Sequence, residues 1–351
     1  MSTSRKTIRT GPKKKKTIVV TGGAGFVGGH LVEALLRRGY RVVCFDLFTY
    51  AGSLEHLAKA RADFPHYTID RVLKKETICD RDTSLIVMRG DINDTATLTR
   101  ILGWCDGCIA LAAETHVDFS YHAPGVFVQA NVNGMQSVLE AMRASATENR
   151  LLHVSTDEVY GEVMRGRSSE SGQLKPRNIY SATKACGDLL VDTYTRVFDM
   201  DIVTVRPCNM FGPRQQPKDL IPKTFAYLLH GKKMTVHGDG RHVREYLFVK
   251  DGVNLMIDVF ERGHRGEIYN LCSHEYRSTL DVVRLIAKSL GLQPVKAMTF
   301  VEDRPNPDRR YAGDNTKIRK LLGRRWKLTP FTEALRLMHE DFVERRPQPT
   351  L

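Results

Sequence analysis

Tyr180 and Lys184 stand one turn apart at the start of a helix-like stretch, so a phenol and an ammonium share a face. A free tyrosine titrates near ~10, too high for a base at neutral pH. A neighbouring ammonium favours the phenolate, which then takes a proton from an alcohol. Tyr246 and Lys250 repeat the spacing within a β-like run. Four residues of strand span about 13 Å, so no coupling is expected there. Upstream, Ser155-Thr156-Asp157-Glu158-Val159-Tyr160-Gly161 follows an apolar run. Adjacent carboxylates in a closed site repel and lose water, which pushes their protonation apart. One can then give a proton while the other takes one.

Gly22, Gly25 and Gly28 form Gly-x-x-Gly-x-x-Gly between a β-rich run and an amphipathic stretch. Glycine there permits a tight turn and lets backbone N–H groups approach a pyrophosphate at the positive end of a helix. Asp46, 18 residues past Gly28, suits an adenosine ribose, and Leu47-Phe48 brings no cation for a 2′-phosphate. NAD is therefore expected rather than NADP. A solvated helix face, loop charges or a glycine-rich turn would explain any one of these features alone. Together they point to hydride transfer from an alcohol, which requires such a base.

Rigid elements must hold these residues. Apolar strand-like runs at 17–21, 41–45, 86–89, 108–113, 151–155 and 202–206 alternate with helical stretches at 26–38, 95–103, 131–146 and 180–198. Continuous apolar strands separated by helices imply a parallel sheet covered on both faces. The expected fold is therefore α/β, a Rossmann-type doubly wound parallel sheet, with a smaller α+β C-terminal substrate domain. Helices at 220–229 and 279–290, and β-like runs at 234–236, 246–249 and 268–271, belong to the second part. The division is a basic disordered tail at 1–16, an NAD-binding domain at 17–205, and a mainly substrate-binding domain at 206–351, with a segment near 240–260 returning to the first. The polar stretch 58–85 is long for a connection and reads as a surface excursion.

Of 351 residues, 42% are hydrophobic and 26% charged, which is ordinary for a folded chain and excludes extensive disorder. The net charge of +13 is not ordinary, yet seven of the cations lie within residues 1–16. No apolar segment follows them, so they do not read as a secretory signal, and no apolar run is long enough for a membrane span. Seven scattered cysteines do not read as a disulfide framework, and a cytoplasmic location is expected. Cys105 and Cys108 read as buried residues near a strand, and no metal site is expected.

Val19-Val-Thr-Gly-Gly-Ala-Gly-Phe-Val-Gly28, Leu111-Ala-Ala-Glu-Thr-His-Val-Asp118 and Ser155 to Gly161 resemble the extended short-chain dehydrogenase/reductases acting on sugar nucleotides. Tyr180 with Lys184, Leu220-Ile-Pro222, Arg244 with Tyr246-Leu247, Ile268-Tyr-Asn270, and Arg304-Pro with Asp308-Arg-Arg-Tyr311 extend the likeness from Thr17 to Asp341. Thr156-Asp157-Glu158 narrows it to the NDP-glucose 4,6-dehydratases, which take dTDP- or UDP-glucose to the 4-keto-6-deoxy sugar in rhamnose-type biosynthesis.

The resemblance implies that Tyr180, aided by Lys184, takes the 4-hydroxyl proton while hydride leaves C4 for NAD+, and that Thr156 bonds the same oxygen. Glu158 then removes the C5 proton, Asp157 protonates the leaving 6-hydroxyl, and hydride returns to C6. It further implies Phe26 and Val27 on the pyrophosphate, Asp91 and Ile92 beside adenine, and Ala112, Ala113 and Thr115 beside nicotinamide. Asn209, Leu220, Ile221, Pro222, Arg244 and Asn270 fall on the substrate side. A homodimer through helices near 131–146 and 180–198 is implied, with no membrane and no nucleic-acid partner. Met210, Pro307, Ala110 and Phe119 depart from the family pattern, and 58–85 is longer than usual. Two alternatives stay open: a UDP-sugar 4-epimerase, and an NAD-binding regulatory protein whose basic tail binds nucleic acid.

Overall fold

Runs such as Ile18-Val19-Val20 and Leu151-Leu152 carry apolar side chains without alternation, so they need cover on both faces. The computed structural model provides it, and describes residues 15–69, 82–145, 149–303 and 308–347. Most of the basic tail, part of the 58–85 stretch and the Arg304-Pro motif, with Pro307, lie outside the described residues.

In chain order the strands are β1 (Thr17–Thr21), β2 (Arg41–Asp46), β3 (His66–Ile69), β4 (Leu85–Arg89), β5 (Gly107–Ala110), β6 (Arg150–Val154) and β7 (Ile202–Pro207). They continue with β8 (Asn209–Phe211), β9 (Met234–His237), β10 (Val243–Phe248), β11 (Ile268–Leu271), β12 (Tyr276–Ser278) and β13 (Met298–Val301). The main sheet has the order β11-β7-β6-β5-β1-β2-β4-β3, and all its pairings are parallel.

One face buries Val20, Val42 and Ile109 against Leu31 and Leu35 of helix Phe26–Arg37, Met256 of Val249–Arg262, and Ile318 of Thr316–Leu322. The other buries Val19, Val43 and Leu151 against Leu98 of Thr95–Leu102, Leu139 of Gly134–Ala144 and Val191 of Ile179–Val197. This is the doubly wound α/β fold. The remaining strands form a three-stranded sheet, β12-β10-β8, and a two-stranded one, β13-β9. Helices Leu220–Leu229, Thr279–Ser289 and Phe331–Arg345 pack beside them around Phe225, Ile286 and Phe342.

Several elements differ from the sequence reading. Ile268–Leu271 is not part of the smaller lobe but the eighth strand of the main sheet, beside β7. Helix Val249–Arg262 leads into it across the first core, because its apolar face matches that of helix Phe26–Arg37. The 58–85 stretch is not wholly an excursion: His66–Ile69 pairs with β4 as the sheet's exposed edge, where polar side chains are tolerated. β5 ends at Ala110, and Leu111 and Ala112 turn away to donate to the Thr21 hydroxyl. Helical structure before Gly134 begins already at Val117 and passes through a π-turn, Val128–Asn133. β10 ends at Phe248, so Lys250 stands on the next helix while Tyr246 is buried among Phe211 and Phe331.

Leu31 is fully buried between the sheet and its covering helices. Leu31→Ala is expected to cost about 2–5 kcal/mol, measured as a drop in the denaturant midpoint at unchanged slope.

Candidate active site

The chain proceeds from β1 to one side of the sheet and from β5 to the other, which opens a crevice at their carboxyl ends. The glycine turn forms its floor. Gly22 has φ +69, and a Cβ there would lie 2.7 Å from the Ala112 Cα. At Gly28 a Cβ would fall 2.1 Å from the Gly22 carbonyl oxygen. Both are needed for the turn to close. Gly25 is different, because its Cβ would meet only the Gly22 oxygen, at 3.4 Å.

Gly25 is the N-cap of helix Phe26–Arg37, which starts with no side-chain cap and no acid in its first turn. The first-turn N–H groups, those of Phe26 and Val27 among them, have no intrahelical acceptors. A diphosphate fits this arrangement. At the tip of β2, Asp46 accepts from Ala24 N at 2.9 Å and Phe48 N at 2.8 Å, one on each oxygen. A carboxylate oxygen has two lone pairs, so each keeps one for a ribose hydroxyl.

Ile92, Ala112, Asn131, His153 and Lys184 line the crevice further in. Ala113 is half-buried and Thr115 exposed on the same loop, whereas the exposed Asp91 uses one oxygen on the Asn93 N–H, at 2.9 Å. The glycine turn, Asp46 and this mixed polar and apolar wall together fit a dinucleotide such as NAD.

Beyond β6 the chain makes a short 3-10 turn, Asp157–Tyr160, capped by the Thr156 hydroxyl, which accepts from Glu158 N at 3.3 Å. The turn carries both carboxyls into the site in unlike surroundings. Asp157 is buried, and its Oδ2 has no hydrogen-bond partner among the described residues. Burial first, then the charges of Glu158 and Glu245, push its carboxyl well above the usual range. Glu158 is half-buried and accepts from Asn178 Nδ2 at 3.1 Å. Burial raises it too, but the Asn178 bond and the Arg244 guanidinium pull the other way. The two carboxyls are therefore unlike: Asp157 is pushed further towards its protonated form than Glu158, which has supporting partners.

Helix Ile179–Val197 brings the buried Tyr180 and Lys184 to this turn. Burial, then Glu158, pushes the Tyr180 phenol up, against a hydrogen bond with Thr156. The Lys184 ammonium donates to the Val154 carbonyl at 2.7 Å, and burial lowers it to about 8. In the protein alone the phenol is thus held neutral, because burial and neighbouring carboxyls outweigh the Thr156 hydrogen bond.

On the substrate side, Arg244 packs over the Tyr311 ring at 4.9 Å and offsets both carboxyls. Asn209 is exposed at the start of β8. Leu220 opens a helix with no side-chain cap, but the Ile221 and Pro222 side chains are buried in the smaller lobe's core and pack rather than face a ligand. Asn270 corrects the sequence reading: it is fully buried with its amide committed. Its oxygen accepts from the Tyr160 hydroxyl at 2.8 Å, and its nitrogen donates to the carbonyls of Ser168 at 3.0 Å and Asp314 at 3.1 Å. Fully buried, Asn270 presents no exposed polar atom to a substrate.

Two residues escape the sequence reading. Asn178 caps helix Ile179–Val197 in a reciprocal capping box with Ser181 while donating to Glu158. The Asn-x-x-Ser spacing before Tyr180 carries that signal. Asn131 exchanges two hydrogen bonds of 2.9 Å with the Glu114 backbone and donates to Thr183 at 2.9 Å, fixing the 111–116 loop to the helix. It lies in the π-turn, which no sequence periodicity marks.

Comparisons with known proteins agree with this geometry. A family model described as GDP-mannose 4,6 dehydratase matches residues 19–338. The low-salt glycan biosynthesis protein Agl12 of Haloferax volcanii is 39% identical over 305 residues, 87% of this chain and 92% of that protein. A dTDP-glucose 4,6-dehydratase of Xanthomonas campestris is 37% identical over 326 residues, 88% of each chain. Among solved structures, the dTDP-glucose 4,6-dehydratase DesIV of Streptomyces venezuelae, with NAD and TYD bound, superposes with TM-score 0.85 at 34% identity, covering 94% of this chain and 98% of that one.

The two glycines should separate in mutants. Gly28→Ala overpacks the turn and is expected to lower stability by about 1–3 kcal/mol. Gly25→Ala should leave the melting temperature near the parent's while weakening NAD binding, measured by calorimetry. Asp157 gives a stability signature as well. Its folded-state pKa lies above the unfolded 3.8, so its ionisation costs stability above that pH and nothing below it. Asp157→Asn should therefore melt higher than the parent at neutral pH, with the gain disappearing once the pH is below 3.8.

Proposed function

The chain belongs to the GDP-mannose 4,6 dehydratase family, and on that premise we propose that it converts an NDP-glucose, dTDP- or UDP-linked, to the 4-keto-6-deoxy sugar. The observation that carries this reading is the unlike pair, with Asp157 Oδ2 unpartnered among the described residues and its carboxyl pushed up by burial, and Glu158 held by Asn178. Hydride transfer at one carbon needs only a base. Removal of water from the neighbouring carbons needs an additional acid and base, and this site has both.

Tyr180 takes the proton of the sugar 4-hydroxyl, and Thr156, beside it, orients that oxygen. Held by the glycine turn and Asp46, NAD+ would supply a hydride acceptor that is regenerated within each turnover. Oxidation comes first, because the C5 proton is not acidic until C4 is a carbonyl. Glu158 then takes the C5 proton, and Asp157 gives its proton to the departing 6-hydroxyl, which leaves as water. The role of the aspartic acid follows from its burial and its free Oδ2: a buried carboxyl with one oxygen unpartnered ionises only when a strong acceptor is presented. Arg244 is the cation for the diphosphate, since a planar fork suits paired phosphate oxygens.

We also assign a homodimer in which helices Gly134–Ala144 and Ile179–Val197 meet their counterparts. Exposed Leu189 and Val197 on the second of these support that reading. Among the described residues no helix is long and apolar enough to cross a membrane.

Incubation with dTDP-glucose and UDP-glucose is expected to give a product lighter by one water from at least one of them, read by mass spectrometry. A product isomeric with its substrate would establish an epimerase instead. Asp157→Asn and Glu158→Gln should each slow dehydration by ~10²–10⁴ while leaving NAD binding intact. Normal dehydration rates in both variants would overturn the acid and base roles of this pair.

A further inference from the structure

Asp188 lies one turn beyond Lys184 on helix Ile179–Val197, and both are buried. An acid at that spacing ordinarily captures the lysine as an ion pair. In this helix both carboxylate oxygens are committed elsewhere. Oδ1 takes the His153 Nε2 at 2.9 Å; Oδ2 accepts from the Arg206 Nε at 2.9 Å and Nη2 at 2.8 Å. Lys184 is left with the Val154 carbonyl, at 2.7 Å. Arg206 also donates to the Tyr160 hydroxyl at 2.8 Å and overlies that ring at 4.8 Å. The Tyr160 hydroxyl donates to Asn270 at 2.8 Å, so the chain of bonds is anchored on the far edge strand, β11.

The charges in this chain are well defined. Burial pushes Asp188 up, but His153 and Arg206 more than reverse it, so the carboxylate is ionised. Burial first, and the Lys184 and Arg206 charges with it, holds His153 neutral against the pull of Asp188. An ionised carboxylate only accepts, so the imidazole proton sits on Nε2. His153 Nδ1 remains a lone pair without a partner among the described residues, on the crevice wall that Lys184 shares. Two cations face one anion beneath Tyr180. The groups around Asp188 are His153 from β6, the Ser155 hydroxyl just beyond it, Arg206 from β7, and Lys184 and Tyr180 from its own helix.

We propose that His153, Asp188 and Arg206 are positioning residues for Lys184: tied off by imidazole and guanidinium, the carboxylate keeps the buried ammonium charged through its field without drawing it away from the Val154 carbonyl. A direct ion pair would move the ammonium along the helix, away from Tyr180. No carboxylate at all would leave a buried lysine free to lose its proton. The arrangement avoids both. What the charged lysine is for rests on the dehydratase reading; how it is kept charged does not.

The experiment is a pH titration of the Lys184 13Cε resonance in lysine-labelled protein, assigned with Lys184→Met. The parent should titrate near about 8. Asp188→Asn should lower that midpoint by at least ~1 unit, a tenfold change, and Asp188→Glu should restore it. His153→Ala frees Oδ1 to take the ammonium and should raise the midpoint. In turnover, the alkaline limb of kcat should move in the same directions with KM unchanged. A merely structural role would lower kcat at every pH without moving the limb. Coincident titrations of Asp188→Asn and parent overturn the proposal. Should Asp188→Asn not fold, a midpoint that stays or falls in His153→Ala overturns it alone. A parent that titrates as stated but makes no dehydrated product sinks the proposed reaction and leaves this inference standing.

Discussion

Withdrawal of ionisable groups from water at the carboxyl end of β6 is the constraint on which the rest depends. Asp157, Tyr180 and Lys184 are buried around that strand's end, and Glu158 is partly so. Each shifts towards its neutral form, since low dielectric penalises charge whatever its sign. A set of groups all driven neutral is useless for acid and base chemistry. What distinguishes them is the partner each receives: a single long hydroxyl bond for Asp157, whose other oxygen has none among the described residues, an amide for Glu158, and the field of a remote carboxylate for Lys184. The specificity of the chemistry is written in these partners more than in the reacting groups.

One helix distributes most of those partners. Asn178 begins Ile179–Val197 with its oxygen on Ser181 N at 2.8 Å and its nitrogen on Glu158, so the cap that starts the helix also sets the carboxylate's position. Tyr180, Thr183, Lys184 and Asp188 follow within three turns and reach the 3-10 turn, the 111–116 loop through Asn131, the β6 carbonyl and the β7 guanidinium. A shift of the helix along its axis would break all of these contacts together. Precision at the site therefore derives from one rigid element held at several points, which loops alone do not provide.

The sheet and the glycine turn are legible in the sequence because their signals are local. Apolar runs at β1, β2, β6 and β7, and the spacing from Gly22 to Asp46, need no knowledge of distant residues. Asn270 shows where this fails. Its motif, Ile268-Tyr-Asn270, is readable, but its amide is consumed by Tyr160, Ser168 and Asp314, partners separated from it by 110, 102 and 44 residues. Asn131 escapes for the complementary reason, since its π-turn has no repeating pattern. Tyr180 is legible, yet the direction of its pKa is not, because a short motif names the ammonium and not the burial and carboxyls that packing adds. Burial and long-range pairing are tertiary quantities, and local spacing carries them only indirectly.

The smaller lobe completes the site by continuity of the backbone. Arg244, the cation that offsets both carboxyls, lies on β10, which pairs with β8 and β12 outside the main sheet. β10 runs without a loop into helix Val249–Arg262, which is packed on the main sheet, and that helix leads to β11. The guanidinium is thus attached to an element whose other end is in the first core. A two-domain crevice with a flexible linker would let the cation drift and the Asp157–Glu158 pair lose its asymmetry. The strand-to-helix junction at Phe248 and Val249 removes that freedom, so the lobe that carries Arg244 and the lobe that holds the acids share one register.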